Sequence, residues 1–214
     1  MAFVISLLNQ KGGAGKTTNS LNLARAFQKM GMEVALVDSD PQGSARDWKE
    51  VDENNPVPVF AIDRPTIHKD IKSLSNMDIV IIDGAPSLEQ MSASAIKASD
   101  LVIIPVQPSP LDIWATSDLV DMVKQRIELT DEKLKATFLV SRVIANTSLG
   151  KEVSSVLAGY ELPVLDTVIF QYIDYTKSIA KGLTVHDYAP NSNAAKDAWK
   201  LAEEIKAKYL SDKT

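Results

Sequence analysis

Ten residues near the N-terminus, Asn9-Gln10-Lys11-Gly12-Gly13-Ala14-Gly15-Lys16-Thr17-Thr18, indicate which fold this chain adopts. They follow an apolar run at residues 3–8 and precede a segment in which Leu23, Phe27 and Met30 recur with helical spacing. A strand, a glycine-rich loop and a helix in this order form the setting of a phosphate-binding loop. Glycines let such a loop wrap closely, so that successive backbone N–H groups point at phosphate oxygens. The stretch therefore predicts a site for the phosphates of a nucleotide.

The side chains of this loop suit a nucleotide that carries a magnesium ion. Lys16 brings a full positive charge to the β- and γ-phosphates, and the hydroxyl of Thr17 is placed to hold magnesium. The helix that starts near Lys16 adds the positive end of its dipole. We expect nucleotide contacts along the whole loop, at Gly12, Gly13, Ala14, Gly15, Lys16, Thr17 and Thr18.

Seven apolar runs rich in Val, Ile and Leu recur between segments of helical spacing. They are continuous rather than alternating, which is typical of parallel strands covered on both faces. This alternation predicts an α/β fold: a doubly wound, mostly parallel sheet flanked by helices, as a single domain over residues 1–214. The runs lie at residues 3–8, 33–37, 57–61, 79–82, 101–106, 136–140 and 165–170.

Composition excludes several classes of function. The chain has 214 residues, a formal net charge of −5 and no cysteine, so thiolate metal sites, iron–sulfur ligation and disulfides are impossible. An acidic balance does not favour a constitutive nucleic-acid binder. No apolar run approaches the roughly 20 residues that span a bilayer, and no export signal is present. We therefore expect a cytoplasmic protein.

Two acidic motifs follow strands. Asp38 and Asp40 leave the end of the second strand in the stretch Asp38-Ser39-Asp40-Pro41-Gln42, and Asp83 ends the fourth. Ligands of open α/β sheets bind at the carboxyl ends of strands. Magnesium keeps several waters and takes few protein ligands, so one hydroxyl with one or two carboxylates suffices. The alternative for the first pair is a turn formed by aspartates before a proline.

The loop departs from the ordinary phosphate-loop pattern, because Gln10 stands at the first glycine position and a second lysine, Lys11, follows it. The form Lys-Gly-Gly-x-Gly-Lys-Thr resembles the deviant Walker A loop of the ParA/MinD family of ATPases, and the chain resembles the short ParA type related to ParF, which has no N-terminal helix-turn-helix domain. The resemblance implies that ATP and Mg²⁺ bind and that Lys11 reaches the nucleotide of a partner subunit, as an arginine finger does in other NTPases.

The resemblance also implies roles for the acids. Asp40 would position or activate the attacking water, so that Lys11, Lys16 and Asp40 form the catalytic set. Asp83 would bind a water of the magnesium shell, with Asp38 as a switch residue near it. The expected metal site therefore comprises Thr17, Asp38, Asp40 and Asp83.

Recognition of the base is expected at two further places. The run Ile103–Pro110 resembles the proline-rich loop of small partition ATPases, which brings Pro108 to the nucleotide. Arg142, at the end of a strand, takes the place of a base-proximal residue in relatives. The alternatives are a rigid turn for the proline-rich run and a solvent-facing side chain for Arg142.

By the same resemblance, ATP closes two subunits into a homodimer that binds DNA non-specifically on the nucleoid, and a ParB-like or other cargo adaptor stimulates slow hydrolysis. The cycle segregates plasmid or chromosomal DNA. Lys177 and Lys181, expected on one face at a spacing of four residues, are the best candidates for DNA phosphate contacts, and ordinary solvated lysines are the alternative.

Other functions remain open at this point. The same motor could position a protein cargo. A MinD-like membrane-associated ATPase would need a terminal helix with large apolar residues, which this chain lacks, so no membrane partner is expected. A metabolic ligase would share the fold and the loop. A redox protein like the nitrogenase iron protein is excluded by the absent cysteines.

Overall fold

A computed structural model describes residues 1–86, 89–145, 153 and 155–210. In these residues seven strands form one sheet in the order β3-β2-β4-β1-β5-β6-β7, and every pairing is parallel. The strands are β1 (Phe3–Leu7), β2 (Val34–Asp38), β3 (Val59–Ala61), β4 (Ile79–Asp83), β5 (Leu101–Val106), β6 (Lys135–Val143) and β7 (Ile169–Phe170).

Helices connect the strands and cover both faces of the sheet. They are α1 (Lys16–Lys29), α2 (Ser44–Val51), α3 (Ile67–Asp70), α4 (Glu89–Ala98), α5 (Pro110–Trp114), α6 (Ser117–Leu129), α7 (Ile173–Ile179), α8 (Val185–Tyr188) and α9 (Asn193–Ile205). Short 3₁₀ turns lie at Ile71–Leu74 and Ala158–Tyr160, and a π-helical turn at Lys206–Leu210 continues α9.

The core has two layers, one on each face of the sheet. Ile5 of β1 packs with α1 and α9 on one face, whereas its neighbour Val4 packs with α4 and α6 on the other. All five residues of β1 are buried, as are those of β2 and β4. This burial on both faces is why the strands read as unbroken apolar runs, and it confirms the predicted doubly wound α/β class.

The strand order reverses at β1, which lies between β4 and β5. Doubly wound sheets open a crevice at such a point, outside the carboxyl ends of the strands. In the register, Leu7 is paired with Asp83, and Asp83 with Asp38. The ends of β1, β4 and β2 therefore meet at one edge, directly below the glycine-rich loop.

All seven predicted strands are present. The ends of the first five agree within two residues, whereas β6 continues to Val143, three residues past its predicted end, and β7 begins at Ile169, four residues after its predicted start. The predicted last helix begins at Asn193, where the side chain of Ser192 accepts a hydrogen bond from the Ala195 amide over 3.1 Å. Among the residues that the structure describes, no helix combines the length and apolar character needed to span a bilayer.

Candidate nucleotide-binding site

The glycine-rich loop is tied to the sheet through Asn9, a residue to which the sequence analysis assigned no role. Its side-chain amide donates to the Pro105 carbonyl on β5 over 2.7 Å, and its side-chain oxygen accepts from the Lys11 amide over 2.8 Å. Asn9 is 2% exposed. A buried amide with both ends bonded holds the start of the loop in one position, which is what a preformed anion site needs.

The end of the loop requires glycine. Gly15 caps α1 with a φ of 93°, in the left-handed region. A Cβ atom there would lie 2.8 Å from the Ser141 hydroxyl, so both backbone conformation and space exclude a side chain. The loop consequently packs against β6, while Ala14 beside it is buried.

Lys16 is buried within the site that it serves. Its ammonium donates to the Lys11 carbonyl over 3.1 Å, and the residue is 7% exposed. Burial lowers the pKa of Lys16 below its ordinary value, and the nearby charges of Asp83 and Asp40 partly counter this effect. A buried cation that donates to a neutral carbonyl is suited to bind an anion.

Asp83 is the most perturbed acid of the site. One carboxylate oxygen accepts from the Ser20 hydroxyl over 3.2 Å, and the other oxygen is buried without a hydrogen-bond partner among the described residues. The nearby Thr17 hydroxyl acts to lower the pKa of this carboxyl. Burial, reinforced by the charge of Asp38, raises the pKa of Asp83 to about 7. An unpaired buried carboxylate oxygen beside a threonine hydroxyl fits a magnesium site, because hard oxygen ligands are what this ion takes.

Asp38 binds the backbone of its own loop. One oxygen accepts from the Asp40 amide over 3.0 Å, and the other from the Ala45 and Arg46 amides at the start of α2, over 3.1 and 3.0 Å. Asp38 is fully buried. It therefore fixes the loop that carries Asp40, and its expected place near the magnesium shell stays a prediction.

Asp40 lies at the mouth of the site. Its side chain accepts from the Gln42 amide over 2.9 Å, and its carbonyl accepts from the Arg46 guanidinium over 2.8 Å. Its charge acts on Lys16. The structure thus brings the predicted acid close enough to influence the predicted lysine, and it adds Arg46 as a support that no motif had indicated.

The ammonium of Lys11 takes a different direction from that of Lys16. It forms an ion pair with Asp112 at 2.8 Å, and its side chain is 42% exposed. The two lysines of one loop therefore have separate partners: the buried one lies inside the loop and the exposed one lies against α5.

A cleft of about 330 Å³ opens between the loop and β6, β7 and α7. Arg142 lines it and donates to the Gly13 carbonyl over 2.7 Å. Arg142 sits at a register shift of β6 with a φ of 58°, and bulges of this kind re-aim side chains beside functional sites. The structure thus places Arg142 at the loop.

Aromatic side chains that sequence reasoning missed form the far wall of this cleft: Phe170, Tyr172 and Tyr175. Pro108 is not among the lining residues of the described chain, whereas its neighbour Gln107 donates to the Gly13 carbonyl over 3.2 Å. The proline-rich loop therefore contacts the phosphate loop through Gln107.

The expectation that Lys177 and Lys181 lie on one helix face is wrong. The helix α7 that contains Lys177 ends at Ile179, and Lys181 lies in the following turn, with its ammonium 5.2 Å from the centre of the Tyr188 ring. The chain turns here because Gly182 takes a φ of 67°. Both lysines are exposed, but they do not form one helical stripe.

The fold and this site define a P-loop nucleotide-binding protein. The family model described as CobQ/CobB/MinD/ParA nucleotide binding domain matches residues 5–185. The chain belongs to this family.

Similar curated proteins cover nearly the whole chain. The maintenance of carboxysome distribution protein A of Halothiobacillus neapolitanus is 30% identical over 201 residues, covering 92% of each chain. The chromosome-partitioning ATPase Soj of Thermus thermophilus is 28% identical, covering 95% of each. The sporulation initiation inhibitor protein Soj of Bacillus subtilis is 29% identical, covering 97% of this chain and 99% of that protein.

Solved structures share the fold. Cobyrinic acid a,c-diamide synthase of Mycobacterium smegmatis, with a bound ATP analogue and magnesium, matches with a TM-score of 0.80 at 22% identity, covering 100% of this chain and 97% of that one. The septum site-determining protein MinD of Pyrococcus horikoshii, complexed with Mg-ADP, matches with a TM-score of 0.76 at 22% identity, covering 100% and 99%.

Proposed function

We propose that this chain is a ParA-type ATPase that binds ATP with Mg²⁺, closes into a homodimer, and hydrolyses ATP slowly to reopen. The observation that carries the proposal is the separation of the two loop lysines: Lys16 is buried inside the loop, whereas the Lys11 ammonium is partly exposed and pairs with Asp112. A lysine that is not needed for the nucleotide of its own subunit is available for the nucleotide of a second copy.

Each residue of the site then has a task. Lys16 and the loop amides neutralise the phosphates, and Thr17 with Asp83 holds magnesium, which draws charge from the phosphate oxygens. Asp40, held by Gln42 and Arg46, orients the attacking water and accepts its proton. Lys11 of the partner copy supports the charge that develops during transfer, in the manner of an arginine finger.

The presence or absence of the γ-phosphate decides whether the two copies form a dimer or separate. Asp38 ties the Asp40 loop to α2 through three backbone amides, so a movement of Asp40 toward the γ-phosphate is passed on to α2. Loss of the γ-phosphate removes the contacts that hold this loop, and the two copies part.

The cargo we propose is plasmid or chromosomal DNA, carried together with a ParB-like DNA-binding adaptor while the ATP dimer rests non-specifically on the nucleoid. The similarity to the chromosome-partitioning ATPase Soj of Thermus thermophilus supports a chromosomal cargo. A second candidate is the positioning of a protein assembly by the same motor, which the 30% identical carboxysome distribution protein favours.

Nucleoid DNA binding by an acidic chain needs a concentrated patch of lysines. Lys177 is exposed on α7 and Lys181 in the turn after it. A dimer brings two such pairs, and binding that rests on phosphate contacts falls steeply as salt rises. We expect retention on DNA only with ATP and only at low salt, with a weaker dependence on salt for Lys177→Gln.

The test of the motor is its mass in solution with and without a slowly hydrolysed ATP analogue and Mg²⁺. One chain has a mass of 23.4 kDa. We expect light scattering to give this mass with ADP and twice this mass with the analogue. Lys11→Gln stays a monomer while binding nucleotide, and Lys133→Gln, an exposed lysine before β6, behaves as wild type. A wild-type protein that stays a monomer with the analogue overturns the proposal.

A further inference from the structure

The ion pair between Lys11 and Asp112 joins two residues that are 101 positions apart. The Lys11 ammonium lies 2.8 Å from one oxygen of Asp112, whose side chain is 11% exposed. Within the described ranges no hydrogen bond reaches that oxygen, so the lysine is the partner the structure gives it. A buried carboxylate depends on such a cation, because an unpaired charge is costly in the interior.

Asp112 is held rigidly in its position. It belongs to α5, where the helix begins with Pro110, and its amide donates to the Ser109 carbonyl over 3.0 Å. Proline at the first turn fixes the backbone that a helix needs. The backbone that carries the carboxylate is therefore fixed and its side chain is 11% exposed, whereas the Lys11 side chain, which is 42% exposed, has room to move.

We infer that Asp112 is the positioning residue of Lys11: it holds the ammonium beside its own phosphate loop and releases it only when the triphosphate of a second copy takes its place. This inference rests on the proposed function, since it concerns the lysine that crosses the dimer interface. Asp112 touches neither nucleotide, and it acts by competing for Lys11.

The competition has a definite sign. While Lys11 is paired with Asp112, forming the dimer requires breaking an ion pair with a buried carboxylate, and that cost weakens the dimer. A neutral side chain at position 112 removes the cost and leaves Lys11 free for the second copy. The wild-type ion pair thus keeps two copies apart until the free energy gained when Lys11 contacts the triphosphate of the second copy exceeds the free energy needed to break its pair with Asp112.

The experiment measures the protein concentration at half dimerisation with a slowly hydrolysed ATP analogue and Mg²⁺, by sedimentation velocity. We expect Asp112→Asn to lower this concentration at least about tenfold, which is a modest share of what breaking a buried pair costs. Asp112→Ser is expected to lower it by a similar factor, which covers the case of poor folding in the first variant. Asp112→Glu, which keeps the charge, and Asp118→Asn, an exposed acid of α6, stay near wild type.

The effect must pass through Lys11. In a Lys11→Gln background, which stays a monomer, Asp112→Asn is expected to restore no dimer at any concentration at which the wild type dimerises, because the lysine for which Asp112 competes is gone. A dimer that Asp112→Asn restores in the Lys11→Gln background, or a dimer of otherwise wild-type protein that is unchanged or weaker in both neutral variants, overturns the inference. A wild-type protein that never dimerises overturns the proposed function instead, so the two failures are distinguishable.

Discussion

The ammonium of Lys16 donates a hydrogen bond to the backbone carbonyl of Lys11 over 3.1 Å. The two lysines of the loop are thus linked, the side chain of one to the main chain of the other. A neutral carbonyl is a weaker partner for a cation than a phosphate oxygen is. Burial already disfavours the charged form of Lys16 and lowers its pKa. An anion that enters the loop therefore stabilises the ammonium of Lys16.

Lys16→Ala is therefore expected to remove nucleotide binding. The variant loses a buried, charge-assisted contact to the phosphates, and such contacts contribute about 1.5–3 kcal/mol each, so we expect the Kd for ATP to rise about 100-fold or more when the β- and γ-phosphates both lose the ammonium. Titration calorimetry measures it. Lys11→Gln is the control from the same loop and keeps its affinity within about threefold. An unchanged Kd for Lys16→Ala contradicts the assignment.

Asp40→Ala separates binding from hydrolysis. The variant keeps Lys16, Thr17 and Asp83, so we expect it to bind ATP and to accumulate as a dimer. Without a carboxylate to orient water and take its proton, turnover falls about 10²–10⁴-fold. Phosphate release and light scattering are the measurements. Asp47→Ala, an exposed acid on α2, is the matched control, and normal turnover by Asp40→Ala refutes a catalytic role.

Much of the fold and the loop could be predicted because their signals are local. Buried parallel strands are unbroken apolar runs, and the loop from Lys11 to Thr17 is contiguous in sequence. The family and the position of Lys16 follow from these alone.

Contacts between distant segments could not be predicted. The partner of Lys11 is Asp112, and the wall of the cleft is formed by Phe170 and Tyr172, more than 150 residues after the loop. No spacing rule connects such positions. The error at Lys181 has a local cause: α7 ends at Ile179, before Lys181, and the turn that follows contains Gly182 with a φ of 67°.

Tyr172→Ala tests whether the aromatic wall binds the base. Tyr172 lines the cleft, with its ring 6.0 Å from that of Phe170 between centres. Stacking of a base on an aromatic ring contributes about 1–3 kcal/mol, so we expect the KM for ATP to rise at least about fivefold with kcat nearly unchanged. Steady-state kinetics measure both constants. Tyr209→Ala, on the turn after α9, is the control. If Tyr172→Ala lowered kcat and left the KM for ATP unchanged, that result would argue against a base contact.

Asp83 makes stability depend on pH in a predictable direction. Burial raises its pKa to about 7 from an ordinary value of 3.8, so the folded state holds a proton that the unfolded state has released. Its contribution is fully present below about pH 4 and is lost as pH rises toward 7, by up to about 4 kcal/mol. Thermal unfolding at pH 5 and pH 8, without nucleotide or magnesium, measures the change.

Asp83→Asn removes this titration, so its stability relative to wild type is expected to increase from pH 5 to pH 8. Burial lowers the pKa of His186 to about 4, so its stabilisation is lost as pH falls below 6.5 and opposes the effect of Asp83. Subtracting the stability of wild type from that of Asp83→Asn at each pH cancels this contribution, because both proteins contain His186. Asp118→Asn, with an exposed acid, is expected to show no such change. Adding Mg²⁺ with ADP stabilises wild type more at pH 8 than Asp83→Asn, because the ionised carboxylate belongs to the metal site. A difference between wild type and Asp83→Asn that stays constant with pH would mean that Asp83 is ionised throughout, and the buried oxygen would then need a different explanation.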